Sequence, residues 1–224
     1  MNPAKQPRLS LIAAATPSGG IGINGKLPWK LPTDMTYFER VTTHLDRIDS
    51  EHLNVVIMGR KTWDSVPPKH RPFKDRISVV LSRNRDFRST THDPQRKVYC
   101  FQSLDDAIRF FAPPPSSASP HDAAPPYSSL WIIGGTSIYS DAMRHPNGFR
   151  IFLTRVYMDV ECDAFFENPD PSRWMLASNT VLKRLVGHLE DVHEGRTSEN
   201  GIEYEFLLYE RVENVVGADT CDAR

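Results

Sequence analysis

The stretch GGIGINGKLPWKLPTDM, Gly19 to Met35, contains a literal G-x-G-x-x-G at Gly20, Gly22 and Gly25. In a dinucleotide-binding βαβ unit such a run closes a strand and opens a helix whose N-terminus holds a pyrophosphate. Here the glycines lead instead into Lys26, Leu27, Pro28 and Trp29, then Leu31 and Pro32. Proline removes a backbone donor and clashes with the preceding turn, so Pro28 and Pro32 forbid the required helix. The glycine match is therefore false as a fingerprint. What the residues describe is a flexible loop joined to a proline-stiffened turn carrying one tryptophan. Two readings fit that pattern equally: a lid over a site, and an ordinary long loop.

Next along the chain, Asp34 falls in the first turn of a helix beginning at Thr33 or Asp34, with apolar Met35, Phe38 and Val41 following. A carboxylate at that position favours the helix dipole, which is the ordinary role of such an aspartate. The alternative places one acid among Trp29, Met35 and Phe38, an apolar, aromatic cleft. There it can pair with an amidine-like heterocycle while desolvation raises its pKa.

Outward from this segment, short apolar and β-branched runs recur as LSLIAAA from Leu9, NVVIM from Asn54, RISVVL from Arg76, KVYCF from Lys97, LWII from Leu130 and FRIFLTRVY from Phe149. These are strand signals. WMLASNTVL from Trp174 and IEYEFLLYER from Ile202 are expected to pair as a closing antiparallel hairpin across the polar connection EDVHEGRTSENG. Between the strands lie helical patterns. In SLDDAIRFFA, Ser103 is an N-cap with Asp106 three residues on, and Leu104, Ala107, Ile108 and Phe111 share a face. Another helix runs from Thr136 until Pro146, and a short one follows Gly59. The expected fold class is α/β: a single domain with a mixed, mostly parallel sheet of about eight strands, flanked by helices and ended by a C-terminal antiparallel hairpin. Residues 9–212 form that domain, 1–8 and 213–224 are tails, and the proline- and serine-dense segment 112–129 is a surface insertion.

A chain of 224 residues with 39% hydrophobic content can bury a full core. Twenty-seven basic and 28 acidic residues give a net charge of −1, so no general attraction to nucleic acid or anionic membrane is expected. Cys100, Cys162 and Cys221 are odd in number and lack metal-ligand spacing, which suits reduced thiols in a cytoplasmic protein without a metal site. A soluble monomer is the expected unit.

Two further glycine positions follow strands and precede short helices: VIMGRKTW, Val56 to Trp63, and IIGGTSIY, Ile132 to Tyr139. Backbone amides at a helix N-terminus bind phosphate readily. Arg60 and Lys61 after one strand, and Ser82, Arg83 and Arg85 after the next, add cations suited to a 2′-phosphate. The competing reading is a set of solvated positive loop ends.

With these pieces in place, the chain resembles the dihydrofolate reductase family in its eukaryotic pattern. The resemblance rests on GIGINGKLPWKLPTDMTYF, VIMGRKTWDSVP, RPFKDRISVVLSR, WIIGGTSIY and IFLTRVY followed by CDAFF, in family order from about Leu9 to Val212. It implies NADPH-dependent reduction of dihydrofolate, with antifolates as inhibitors. Asp34 would hydrogen-bond the pterin and promote protonation at N5, with Thr154 and a water near Trp29 completing the network. Leu27 would belong to the mobile loop over the nicotinamide. Ile12, Met35, Phe38, Ser65, Val66, Phe73, Ile133 and Tyr139 would line the substrate cleft, and Arg76 would grip the carboxylate of the glutamate tail. On the cofactor side, Ala14, Ile21, Gly22 and Lys26 would meet the nicotinamide half. Arg60, Lys61, Thr62, Ser82 and Arg83 would meet the adenosine phosphate half. Gly134, Gly135, Thr136, Ser137, Ile138 and Tyr139 would hold the pyrophosphate.

Three departures accompany the resemblance. Family members carry either Asp or Glu where Asp34 stands, Thr136 replaces the third glycine of bacterial relatives, and His70 stands where relatives often have an asparagine contacting the folate tail. The runner-up activity is a pyrimidine reductase of riboflavin synthesis, which would not call for the Leu-Pro-Trp and Asp34 pairing. A catalytically idle folate or nucleotide binding protein is the alternative from another class.

Overall fold

The computed structural model describes residues 7–44, 52–113, 124–186 and 192–212. The expected tails and the insertion at 112–129 therefore lie largely outside the described residues. In chain order the elements are β1 (Leu9–Ala15), β2 (Gly20–Gly22), α1 (Pro32–Thr43), β3 (Leu53–Gly59), α2 (Arg60–Ser65), β4 (Arg76–Leu81), α3 (Arg85–Thr91), β5 (Val98–Phe101), α4 (Leu104–Phe111), β6 (Tyr127–Gly134), α5 (Thr136–Arg144), β7 (Gly148–Tyr157), β8 (Ala164–Phe165), β9 (Trp174–Leu176), α6 (Asn179–Val186), β10 (Thr197–Glu199) and β11 (Ile202–Arg211). Among the described residues, no helix is long and apolar enough to cross a membrane.

Two compact units divide the chain. The first comprises Met1–Leu9 and Thr42–Asn147, the second Ser10–Val41 and Gly148–Arg224. In the first unit, β3 pairs in parallel with β4 and β6, and β4 pairs in parallel with β5. Every residue of β4 is buried, as a parallel strand covered on both faces requires. Register brings the ends of β3, β4 and β6 level, with that of β5 beside them: Gly59 lies opposite Leu81, Leu81 opposite Phe101, and Met58 opposite Gly134. The residues that follow these ends, Arg60, Ser82 and Gly135, are thus delivered to one edge of this parallel set, the usual ligand-bearing edge of an α/β sheet. Helix α4 starts as its sequence demands. Ser103 Oγ accepts from Asp106 N at 3.1 Å and donates to Asp106 Oδ2 at 2.7 Å, and Leu104, Ala107, Ile108 and Phe111 are buried. Helix α3 is an element the sequence patterns did not suggest; Asn84 caps it by accepting from Phe87 N at 3.0 Å.

In the second unit, β7 and β11 pair antiparallel from Tyr157 opposite Glu203 to Arg150 opposite Glu210. β10 and β11 form a tight hairpin through Asn200 and Gly201, both at positive φ. The antiparallel C-terminal strands agree with expectation, but the run from Trp174 to Leu182 does not stay extended. Only Trp174–Leu176 pairs with β11; Asn179 onward is helical because Leu182 and Val186, four residues apart, bury one face. The polar connection expected before Ile202 likewise contains β10.

The glycine stretch also carries regular pairing that its pattern did not suggest. Gly20–Gly22 pairs with Ala164–Phe165 as β2 and β8, and Ile23 and Lys26 exchange backbone hydrogen bonds of 3.0 Å across Asn24–Gly25. With φ of 51° and 71° at those two residues, this is a type I′-like turn. Asp163 Oδ2 accepts from Asn24 N at 2.8 Å and fastens the turn. No helix follows the glycines. Pro32 instead occupies the first position of α1, where its missing N–H costs nothing.

Candidate active site

Asp34 lies in the first turn of α1 and is only 5% exposed. Thr154 of β7, 1% exposed, hydrogen-bonds its carboxylate. Burial disfavours the charged form and pushes the Asp34 carboxyl from its ordinary 3.8 up to about 6; Thr154 opposes the lift and the nearby charge of Glu199 adds to it. Tyr37, one turn along α1, is buried too, and desolvation together with the charge of Asp34 drives its phenol upward. A carboxyl balanced near neutrality in an apolar site can hydrogen-bond a protonatable heterocycle and handle a proton.

Two buried donors of this unit, Trp29 Nε1–H and Tyr37 O–H, have no hydrogen-bond partner among the described residues. Buried polar groups are nearly always paired, so such donors mark ground that a ligand or water completes. Leu27 and Met35, at 47% and 46% exposed, present unusually open apolar side chains on the segment around Trp29 and Asp34. Ile12 is buried in β1, Ala14, Ile21 and Phe38 are half-buried, Gly22 is buried and Lys26 is exposed.

In the first unit, Arg76 is 5% exposed at the start of β4. Its Nε donates to Lys74 O at 3.0 Å, its Nη1 donates to Thr42 Oγ1 at 2.8 Å, and its guanidinium lies 5.1 Å from the Phe73 ring centre. These contacts hold the guanidinium in one attitude, as recognition of a planar carboxylate requires. Ser65 is exposed and Val66 half-buried where α2 ends.

The glycine edge of the same unit fits a pyrophosphate-bearing cofactor. Gly135 caps α5 with no side chain over the helix start. A Cβ on Gly134, whose φ is +122°, would stand 3.3 Å from the Tyr139 ring, and one on Gly135 would stand 3.2 Å from Thr62 Oγ1. The backbone there can approach a phosphate only as glycine. Thr136 and Ser137 open α5, with Ile138 and buried Tyr139 behind them. Arg60, Lys61 and Arg83 are exposed beside this edge, whereas Ser82 is buried and its hydroxyl accepts from Asn84 N at 3.2 Å. Among the described residues, no group of three His, Cys, Asp or Glu side chains could hold a metal ion.

The structure therefore brings Asp34 to Thr154 in one unit, and Thr62 to Gly134 and Gly135, and Phe73 to Arg76, in the other. Ile12, Met35 and Phe38 fall in the second unit, while Ser65, Val66, Ile133 and Tyr139 fall in the first. Sequence patterns missed Tyr37, Thr42 and Glu199, none of which sits in a spacing that signals a site.

A family model for dihydrofolate reductase matches residues 8–211, across both units. The chain is 36% identical over 207 residues to dihydrofolate reductase of Heliothis virescens, covering 92% of this chain and 99% of that protein. It is 39% identical over 204 residues to the Mus musculus enzyme, covering 91% and 97%. Among solved structures, Schistosoma mansoni dihydrofolate reductase superposes with a TM-score of 0.69 at 29% identity, over 92% of this chain and 99% of that one. The fold is thus the expected α/β arrangement, with a mixed, mostly parallel sheet flanked by helices. These matches make the chain an oxidoreductase dependent on NADP. It belongs to the dihydrofolate reductase family, and it reduces dihydrofolate to tetrahydrofolate with NADPH.

Proposed function

We propose that Asp34 is the acid of this reduction, holding the pterin and promoting proton delivery to N5, with Thr154 orienting its carboxylate and Trp29 completing the polar network. The observation that carries the reading is a buried carboxyl, hydrogen-bonded by Thr154 and lifted to about 6. At that value a modest fall in pH protonates the site, and a rise removes the proton the chemistry needs. Ile12, Met35, Phe38, Ser65, Val66, Ile133 and Tyr139 would line the substrate cleft, and Leu27 would belong to the loop over the nicotinamide. Arg76, backed by Phe73, binds the carboxylate of the glutamate tail.

NADPH, when bound, supplies the hydride that reaches C6. For it, Gly134 to Tyr139 would hold the pyrophosphate, and Arg60, Lys61, Thr62, Ser82 and Arg83 the adenosine phosphates. Ala14, Ile21, Gly22 and Lys26 would meet the nicotinamide end. We further infer that residues 9–212 form the catalytic domain of a cytoplasmic monomer that binds neither nucleic acid nor membrane. The near-zero net charge and the free thiols of Cys100 and Cys162 support that setting.

The test is Asp34→Asn in single-turnover reduction. Turnover at neutral pH should fall by at least about a hundredfold and recover partly as acid protonates the substrate, with NADPH affinity nearly unchanged. An equal loss at every pH would remove the protonation role.

A further inference from the structure

Glu199 ends β10 opposite Ile202, at the tip of the C-terminal hairpin. Its Oε2 accepts a hydrogen bond of 3.1 Å from Thr33 N, although the two residues are 166 positions apart. The amides of a helix's first turn have no partner within the helix, and the dipole there favours an anion. Glu199 therefore caps α1 from another element, at the residue immediately before Asp34. Beside it, Asn200 Nδ2 donates to Lys30 O at 3.5 Å.

The rest of the hairpin reaches the same acid. Phe206 of β11 lies opposite Thr154 in the β7 pairing, and its ring stacks on Tyr37 at 4.1 Å between centres. Thr154 holds the Asp34 carboxylate, so a single hairpin sets the helix start through Glu199, the next helical turn through Phe206, and the hydroxyl partner through strand register. Half-buried Glu199 is the only one of these groups that adds charge.

Resting on the assignment of Asp34 as the acid, we propose that Glu199 is a positioning residue of the reduction, fixing the start of α1 and hence the attitude of Asp34 through the Thr33 N–H. Its charge acts in addition, disfavouring ionisation of Asp34. Among the described residues, the groups that bear on the Asp34 carboxylate are the Thr154 hydroxyl from β7, Glu199 from β10 and the Tyr37 phenol on α1 itself.

Glu199→Gln and Glu199→Ala separate the two effects, because glutamine keeps an acceptor for Thr33 N and alanine does not. The readouts are the pH profile of single-turnover reduction, the KM for dihydrofolate and the NADPH dissociation constant. With glutamine, the limb that falls as pH rises should move down by about half a pH unit, with KM nearly unchanged. With alanine, the same displacement should come with a rise in KM of about three- to tenfold. Unchanged NADPH binding in both shows that the fold is kept. An unmoved limb in the glutamine variant together with an unmoved KM in the alanine variant would overturn the proposal. Asp34→Asn, run alongside, reads the assignment of the acid by itself: full activity there would defeat that assignment whatever the Glu199 variants do.

Discussion

The Thr154 hydroxyl, on the middle of β7, donates to the Asp34 carboxylate on the first turn of α1, and both residues are buried. A hydrogen bond to the charged form favours ionisation, so Thr154 holds the acid below the value that burial alone would set. Thr154→Val keeps the volume and deletes the donor. The alkaline limb of the single-turnover profile should therefore move to higher pH, opposite in direction to Glu199→Gln. A limb that moved down, or stayed in place, would deny Thr154 this part.

The raised value also has a stability cost. Asp34 binds its proton more tightly in the folded chain, at about 6, than at its ordinary 3.8. Its contribution is therefore most favourable below 3.8 and is lost as pH rises towards 6, by about 3 kcal/mol in all. Asp34→Asn removes that dependence. In urea unfolding, the variant should gain on the wild type between pH 4 and pH 7.5 by roughly that amount. A difference that does not vary with pH would contradict the lifted value.

Arg76 is held by Lys74 O, Thr42 and Phe73 before any ligand arrives. Arg76→Leu should raise the KM for dihydrofolate by about ten- to a hundredfold, with a much smaller change in the rate of the chemical step and in NADPH affinity. Arg76→Lys should restore little, since an ammonium cannot reproduce the planar fork. Substrate lacking the glutamate tail should be indifferent to both changes.

Gly134→Ala meets both a positive φ of +122° and the Tyr139 ring 3.3 Å away. Gly195→Ala meets a positive φ of +74° with open space around it. Strain alone costs about 1–3 kcal/mol. Thermal unfolding should fall in both variants, but NADPH affinity should fall, by at least about tenfold, only in the first. Equal NADPH affinity in the two variants would remove the cradle role of the Gly134 segment.

What the sequence made legible follows the reach of the physics involved. β3 and β4 declared themselves because unbroken Val and Ile runs have no other stable place than between two covered faces. α4 was legible because its capping box is local to Ser103 and Asp106. The pairing of Gly20 to Gly25 is not legible because glycine density suggests only a loop, while Asn24–Gly25 is a tight-turn signal and Asp163 secures it from far along the chain. Asp34 could be singled out from its apolar neighbours, yet its partner Thr154 came only through family resemblance. Glu199 gave no signal at all. Its contact with Thr33 depends on the register of a hairpin that no local pattern specifies.

The most direct measurement is a titration of Asp34 itself, by carbon-13 resonance of the labelled side-chain carboxyl in the free protein, assigned by its loss in Asp34→Asn. The expected midpoint lies near 6. A midpoint near the ordinary 3.8 would contradict the claim that burial readies this acid for proton delivery.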